Sequence, residues 1–392
     1  MSEYTFQGYR RANGKVGARN LVAVIPSVIC ANDVGQAICR QVQGTIGYFH
    51  HQGCCQLPID LKRVTDTLSN LGQSPNVGAL IVSLGCEGTD HERMVEEIRA
   101  AGKPVEIIRI QELGGTSRAI QAGIDAAQRL VQEISGLQRE TVDISEVVMA
   151  IKCGASDTTS GMASNCVIGY VADKLVDLGA TVVFGETTEF LGGEHILAKR
   201  AVGGENGPIG QKIYEIVDRM EKRAKSVGED MRGGQPTPGN IAGGLSSIEE
   251  KSLGAIVKSG HRPIQGVLEY CDRVDGQKGL WIKDAPGREP EILTGMAATG
   301  AQFMMFSTGR GAPQGFPSMP VIKICGNPHT YERMQHDMDL NAGRIIQGEK
   351  TIEEVGEEAF RLMLDVLSGK MTKNEALGYY GSMDIFCLGP VI

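Results

Sequence analysis

The chain has 392 residues, of which 41% are hydrophobic and 22% charged, with ten cysteines and a formal net charge of -8. That length predicts two or three domains with sizeable cores. The acidic balance argues against nucleic acid as a partner, because no basic stripe is present to neutralise phosphates, but a few local Arg and Lys residues suffice for a small anion.

No run of about 18 apolar residues could span a membrane. The opening Met1-Ser2-Glu3-Tyr4-Thr5-Phe6-Gln7-Gly8 lacks a basic-then-apolar targeting pattern, so a cytoplasmic protein with reduced cysteines is expected. The first elements alternate in an α/β rhythm. Residues 21–26 form an apolar run suited to a strand buried on both faces, and 31–43 have helical spacing. Strands at 77–84 and 105–110 alternate with helices at 91–100 and 116–133. Around 136–143 the pattern turns polar, and a second series begins with a strand near 147–151. It continues with a helix at 162–178, a strand at 181–184 and helices from 194 and over 213–224. The glycine- and proline-rich stretch 231–244 reads either as a flexible linker or as an ordered active-site loop. Beyond it come a helix near 247–258, strands near 280–283, 302–307 and 321–324, and a helix at 352–367.

This rhythm predicts an α/β fold of two Rossmann-like, doubly wound units with mostly parallel sheets. The expected domains are 1–140, flavodoxin-like, and 141–392, catalytic. Ligands then bind at loops leaving the carboxyl ends of strands.

Four segments place chemistry-bearing residues after predicted strands. His50-His51-Gln52-Gly53-Cys54-Cys55 offers imidazole and thiol ligands suited to iron or zinc. Gly85-Cys86-Glu87 precedes a helix capped by Thr89 or Asp90, a position that favours a thiolate. Lys152-Cys153-Gly154-Ala155-Ser156-Asp157 could hold a carboxylate and contributes a further thiol. Glu186, Glu189, Glu194 and His195 follow the strand at 181–184 and suit proton transfer. Downstream, Arg310 could grip a carboxylate in bidentate fashion, Lys323 lies inside a strand where it needs a partner, and Asp339 to Gly343 could cap a helix or hold polar groups. Neither a dinucleotide-binding glycine fingerprint nor a phosphate-binding P-loop is present.

In order, these pieces resemble the altronate/galactarate dehydratase family. The resemblance rests on Gly8-Tyr9-Arg10 with Val16-Gly17-Ala18-Arg19-Asn20, His50 with Gly53-Cys54, Gly85-Cys86-Glu87, and Lys152-Cys153-Gly154 with Ser156-Asp157. It continues through Glu186, Glu189, Gly193-Glu194-His195, Pro238-Gly239-Asn240, Gly243-Gly244-Leu245 and Glu249-Glu250-Lys251-Ser252-Leu253-Gly254. Thr308-Gly309-Arg310-Gly311, Pro320-Val321-Ile322-Lys323 and Asn341-Ala342-Gly343 complete it. Cys55 departs from the pattern, which has a small residue such as glycine there.

The resemblance implies a hydro-lyase that uses ferrous iron or a similar divalent metal to convert a sugar acid to a 2-keto-3-deoxy acid. It also implies a separate small β-rich subunit, since only about twenty residues precede the first predicted strand, and a homo-oligomer is expected. Relatives that expel sulfite from sulfolactate make a C–S lyase the alternative, and a non-catalytic metal-binding subunit is a second. A thiol hydrolase using Cys54 and His50 is a third.

The chemistry expected is β-elimination next to a carboxylate, with a metal stabilising the enediolate and a base removing the α-proton. His50, Cys54, Cys86 and Cys153 form the expected ligand pool, for a single ion or an iron–sulfur cluster. Glu186, Glu194 and His195 are the acid–base candidates. Lys152, Ser156, Asp157, Arg310 and Lys323 are the substrate-binding candidates.

Overall fold

A computed structural model describes residues 3–392; Met1 and Ser2, part of the opening stretch read for a targeting pattern, lie outside them. Two parallel sheets dominate. The first contains β3 (Leu21–Pro26), β4 (Thr45–Gly47), β5 (Val77–Ser83) and β6 (Val105–Arg109) in the order β4-β3-β5-β6. The second has seven strands: β8 (Val148–Cys153), β9 (Thr181–Phe184), β10 (Ile264–Leu268), β11 (Gly279–Lys283), β12 (Phe303–Thr308), β13 (Val321–Cys325) and β14 (Leu340–Asn341). Their order is β10-β11-β9-β8-β12-β13-β14, and every neighbouring pair is parallel. The α/β class read from the sequence is the observed one. β5 and β12 are buried along their whole length, as strands covered on both faces must be.

A third, antiparallel sheet was not anticipated. β1 (Thr5–Arg10) pairs with β2 (Val16–Gly17) and with β7 (Glu140–Asp143), so the first strand begins at Thr5 rather than at Leu21. The helices Pro58–Gly72 and Glu289–Ala298 also escaped the sequence reading. They pack against each other and join the two sheets through one apolar core, in which Ile25, Val64 and Leu68 meet Leu293, Met296 and Phe306.

Sheet topology fixes where ligands can sit. In the second sheet β8 is followed by a crossover to β9 on one side, while β12 leads to β13 on the other. The loops 154–159 and 309–311 therefore leave the crevice between β8 and β12 at the point where strand order reverses. In the first sheet the equivalent crevice lies between β3 and β5. Among the described residues no helix is long and apolar enough to cross a membrane.

The helix Asn165–Asp177 follows the 154–159 loop and packs closely on the turn Val257–Ser259. A Cβ at Gly169 would lie 2.5 Å from the Val257 carbonyl oxygen. Helix propensity alone would favour Gly169→Ala by about 1 kcal/mol. The contact predicts the opposite sign, a loss of about 1–3 kcal/mol from overpacking, measurable as a lowered midpoint in thermal denaturation.

Candidate active site

β8 ends in Lys152 and Cys153, both buried. β9 ends at Phe184, and the chain turns back through Glu186, whose left-handed backbone (φ 71°, ψ 67°) is strained for a side chain that carries a Cβ. The turn Thr187–Glu189 follows, and together they fold two carboxylates over the end of β8. Glu186 Oε2 accepts the Cys153 N–H at 2.9 Å, and Glu189 Oε2 accepts the Cys153 thiol at 2.9 Å. Lys152 Nζ donates to Glu186 Oε1 and to the Cys153 carbonyl.

Lys258, on the turn Val257–Ser259, completes the group. Its ammonium donates to Glu189 Oε2 at 2.6 Å, Glu186 Oε2 at 2.7 Å and Cys153 Sγ at 3.1 Å. Lys251 Nζ stands 3.7 Å from the other Glu189 oxygen. Lys258 is 0% exposed and Glu186 1%, so the two ammoniums and two carboxylates must compensate each other inside the protein.

The titration tendencies follow from that compensation. Burial works against the charge on Lys258, but Cys153, Glu186 and Glu189 outweigh it and hold the ammonium well above its ordinary value. Burial, reinforced by Glu189, pushes the Cys153 thiol up, so it stays protonated. Burial opposes ionisation of Glu189, yet Lys258, Lys251 and Lys152 keep it below the usual carboxylate range. Glu186 goes the other way: burial and the neighbouring Glu189 raise it and strengthen it as a base.

The group opens on a cavity of about 510 Å³ lined by Lys152, Cys153, Glu186, Glu189, Lys251 and Arg288. A second cavity, of about 670 Å³, lies beside the loops at the β8–β12 crevice. Asp157 anchors it: its carboxylate accepts Thr159 Oγ1 at 2.5 Å, the Ser160 N–H at 3.2 Å and Asn327 Nδ2 at 3.0 Å. Gly309 passes so close that a Cβ there would run into Asp157 Oδ1. Arg310, Arg333 and His329 line this cavity. Among the described residues neither guanidinium has an ion pair or hydrogen-bond partner, and the buried Ser156 hydroxyl also lacks one.

The glycine-rich stretch is ordered and borders both cavities. Thr237 and Asn240 cap its helix Pro238–Ala242 reciprocally, Asn240 Nδ2 donates to the Ser156 carbonyl at 2.8 Å, and Thr158 N–H donates to the Gly243 carbonyl at 3.2 Å. Gln235, Thr237 and Asn240 face one cavity; Ala242 and Gly243 face the other.

The remaining sequence candidates lie elsewhere. His50 is buried at the edge of the first sheet, with Nε2 bonded to the Pro26 carbonyl at 2.8 Å and Nδ1 accepting the Gln52 N–H at 3.1 Å. Both ring nitrogens are thus engaged by backbone, and neither is bonded to the Cys54 thiol. Cys54 and Cys86 are exposed on loops that Gly88 N–H joins to the Gly53 carbonyl. Glu194 and His195 open the helix Glu194–Lys199 and line neither cavity. Lys323 is buried and donates to the Pro313 carbonyl and Asn374 Oδ1, tying the carboxyl-terminal segment to β13. The sequence reading missed Lys258 and Arg333, quoted Lys251 only as part of a motif, and grouped Glu189 with the proton-transfer residues without carrying it into the site.

Among the described residues Cys153, Glu186 and Glu189 are the one group of three whose metal-ligating atoms all lie within 4.8 Å of one another, and in kind they could hold a metal ion. His50, Cys54 and Cys86 do not join them. The arrangement around the three does not fit a divalent ion as it stands, because the Lys258 ammonium already contacts all three ligand atoms.

Burial lowers the His50 imidazole from its ordinary 6.5 to about 4. The unfolded chain then takes up the proton first as pH falls, so stability is lost between pH 6.5 and 4, by up to about 3 kcal/mol. His50→Gln should flatten that part of the stability–pH curve, as followed by urea unfolding; an unchanged slope would assign it to other groups.

Comparison with known proteins agrees with the motif order. The family described as D-galactarate/altronate dehydratase, C-terminal, matches residues 144–389, and the second domain of D-galactarate dehydratase/altronate hydrolase matches 8–135. The (2R)-sulfolactate sulfo-lyase subunit beta of Chromohalobacter salexigens is 40% identical, over 96% of this chain and 95% of that one. Galactarate dehydratase (L-threo-forming) of Escherichia coli is 35% identical over 99% of this chain and 77% of its own length. Altronate dehydratase of Bacillus subtilis is 33% identical over 95% and 75%. The chain belongs to the D-galactarate/altronate dehydratase family and is a lyase.

Proposed function

We propose that this chain is the large subunit of a lyase that removes a β-substituent from a small hydroxy acid carrying two anionic groups, with sulfolactate as the best-fitting substrate. The observation that carries this reading is the cavity holding the unpaired Arg310 and Arg333 guanidiniums. Two cations without protein partners suit an anion beyond the carboxylate that activates the α-hydrogen, and guanidinium matches a sulfonate or carboxylate fork. The 40% identity to a sulfolactate sulfo-lyase subunit supports the same choice.

In this reading Glu186, made more basic by burial, takes the hydrogen α to the substrate carboxylate. Lys152 and Lys251 line the cavity and face the charge that develops on that carboxylate, with Lys258 buried behind them, and all are fixed in place before reaction. The electron pair moves to the α–β carbon bond and sulfite leaves from the β-carbon toward Arg310 and Arg333. The enol of pyruvate remains and becomes the keto acid by taking a proton on its methylene carbon and giving up its hydroxyl proton. No step is assigned to a metal ion, because Lys258 supplies the positive charge at the one three-ligand group among the described residues.

A small second subunit, a cytoplasmic location and the division into 1–140 and a catalytic 141–392 belong to the same proposal. The subunit finds support in the name of the C. salexigens relative. Dehydration of a sugar acid, with ferrous iron, is the second reading, favoured by the dehydratase relatives.

The test is a substrate panel run with the small subunit and ferrous iron present. Pyruvate and sulfite should appear from sulfolactate, and Arg333→Ala should raise KM for it about tenfold or more, roughly 1.4 kcal/mol. Keto-acid release from altronate or galactarate alone would install the second reading instead.

A further inference from the structure

The buried group at the end of β8 presents a donor set that coordination chemistry associates with iron or zinc: one thiol and two carboxylates, whose ligand atoms lie within 4.8 Å of one another. What fills the space between them is an ammonium. A lysine Nζ has three hydrogens, and those of Lys258 are directed at Glu186 Oε2, Glu189 Oε2 and Cys153 Sγ, the same three residues.

Charge counting gives the same picture. With the thiol protonated, Lys152 and Lys258 balance Glu186 and Glu189, the flanking Lys251 and Glu289 balance each other, and the group is neutral in the interior. Adding a divalent ion would leave one or two uncompensated positive charges in a dry site, depending on whether the thiol ionised. That state is strongly disfavoured unless an ammonium leaves or loses its proton. Lys258 has nowhere nearby to go: it is fully buried on the short turn Val257–Ser259, held against the helix Asn165–Asp177 by the close approach at Gly169.

We infer that Lys258 is a tethered cation standing in the position of a metal ion, and that the native cluster of Cys153, Glu186 and Glu189 excludes divalent metals. Its corollary concerns the variant lacking the ammonium, in which the three side chains become a metal site. The inference holds whatever the substrate, so it stands apart from the functional reading.

Cobalt(II) reports it directly, because thiolate ligation to cobalt gives a near-ultraviolet charge-transfer band. The full-length chain is titrated with cobalt(II) as wild type, Lys258→Met, Cys153→Ser and the double variant, with bound metal counted after desalting. The wild type should show no band that depends on Cys153. Lys258→Met should bind one further equivalent with such a band, lost in the double variant, and its melting temperature should rise with cobalt or zinc where that of the wild type does not. A Cys153-dependent band in the wild type would overturn the inference, since the ammonium would then yield to metal. A folded Lys258→Met that gained no equivalent would overturn it as well. Should that variant fold only when metal is present in the refolding buffer, the metal dependence itself would support the inference; should it fold under neither condition, the wild-type titration against Cys153→Ser decides alone.

Discussion

Two carboxylates packed against the end of a buried strand can stay charged only if cations are buried with them. Glu186 and Glu189 meet that condition through Lys152 and Lys258, and much else in the site follows from it. The left-handed backbone at Glu186, the turn Thr187–Glu189 and the close contact of Gly169 with Val257 all serve to bring the four charges together. Removing one partner would leave a neighbour charged and alone, which is why these side chains form a unit rather than a set of separate pairs.

The same compensation sets the chemistry. Glu189, surrounded by three ammoniums, is held ionised and is a weak base. Glu186, raised by burial and by its neighbour, is the stronger one. In the proposed mechanism two carboxylates of one type thereby take different tasks by environment, a common way of assigning roles. The ordered stretch 235–244 borders both the cavity lined by Glu186 and the one lined by Arg310 and Arg333.

Much of the fold was legible in the sequence because buried parallel strands read as unbroken apolar runs. The strand Thr181–Phe184 and the helices His91–Ala100 and Ile352–Leu367 fall where periodicity places them. The antiparallel sheet was not legible, since Thr5–Arg10 and Glu140–Asp143 are short, largely polar strands whose pairing spans 130 residues or more of chain. For the site, placing candidates after strands led to Lys152, Cys153, Glu186, Asp157 and Arg310. It could not find Lys258 or Arg333, which come from a helix end and a short helix whose approach is set by tertiary packing alone. It also set His50, Cys54 and Cys86 beside Cys153, whereas they lie in loops beyond the carboxyl ends of the other sheet's strands, because spacing along a chain does not tell which crevice a loop faces.

The central claim is that Glu186, within the lysine-compensated cluster, is the base that starts the elimination. The most direct test is the turnover of Glu186→Gln in the assembled complex on the substrate found by the panel, set beside Glu194→Gln, with both variants shown to be folded by their melting transitions. The account predicts a loss of about 10²–10⁴-fold for Glu186→Gln and near-native turnover for Glu194→Gln. Near-native turnover by a folded Glu186→Gln would contradict it.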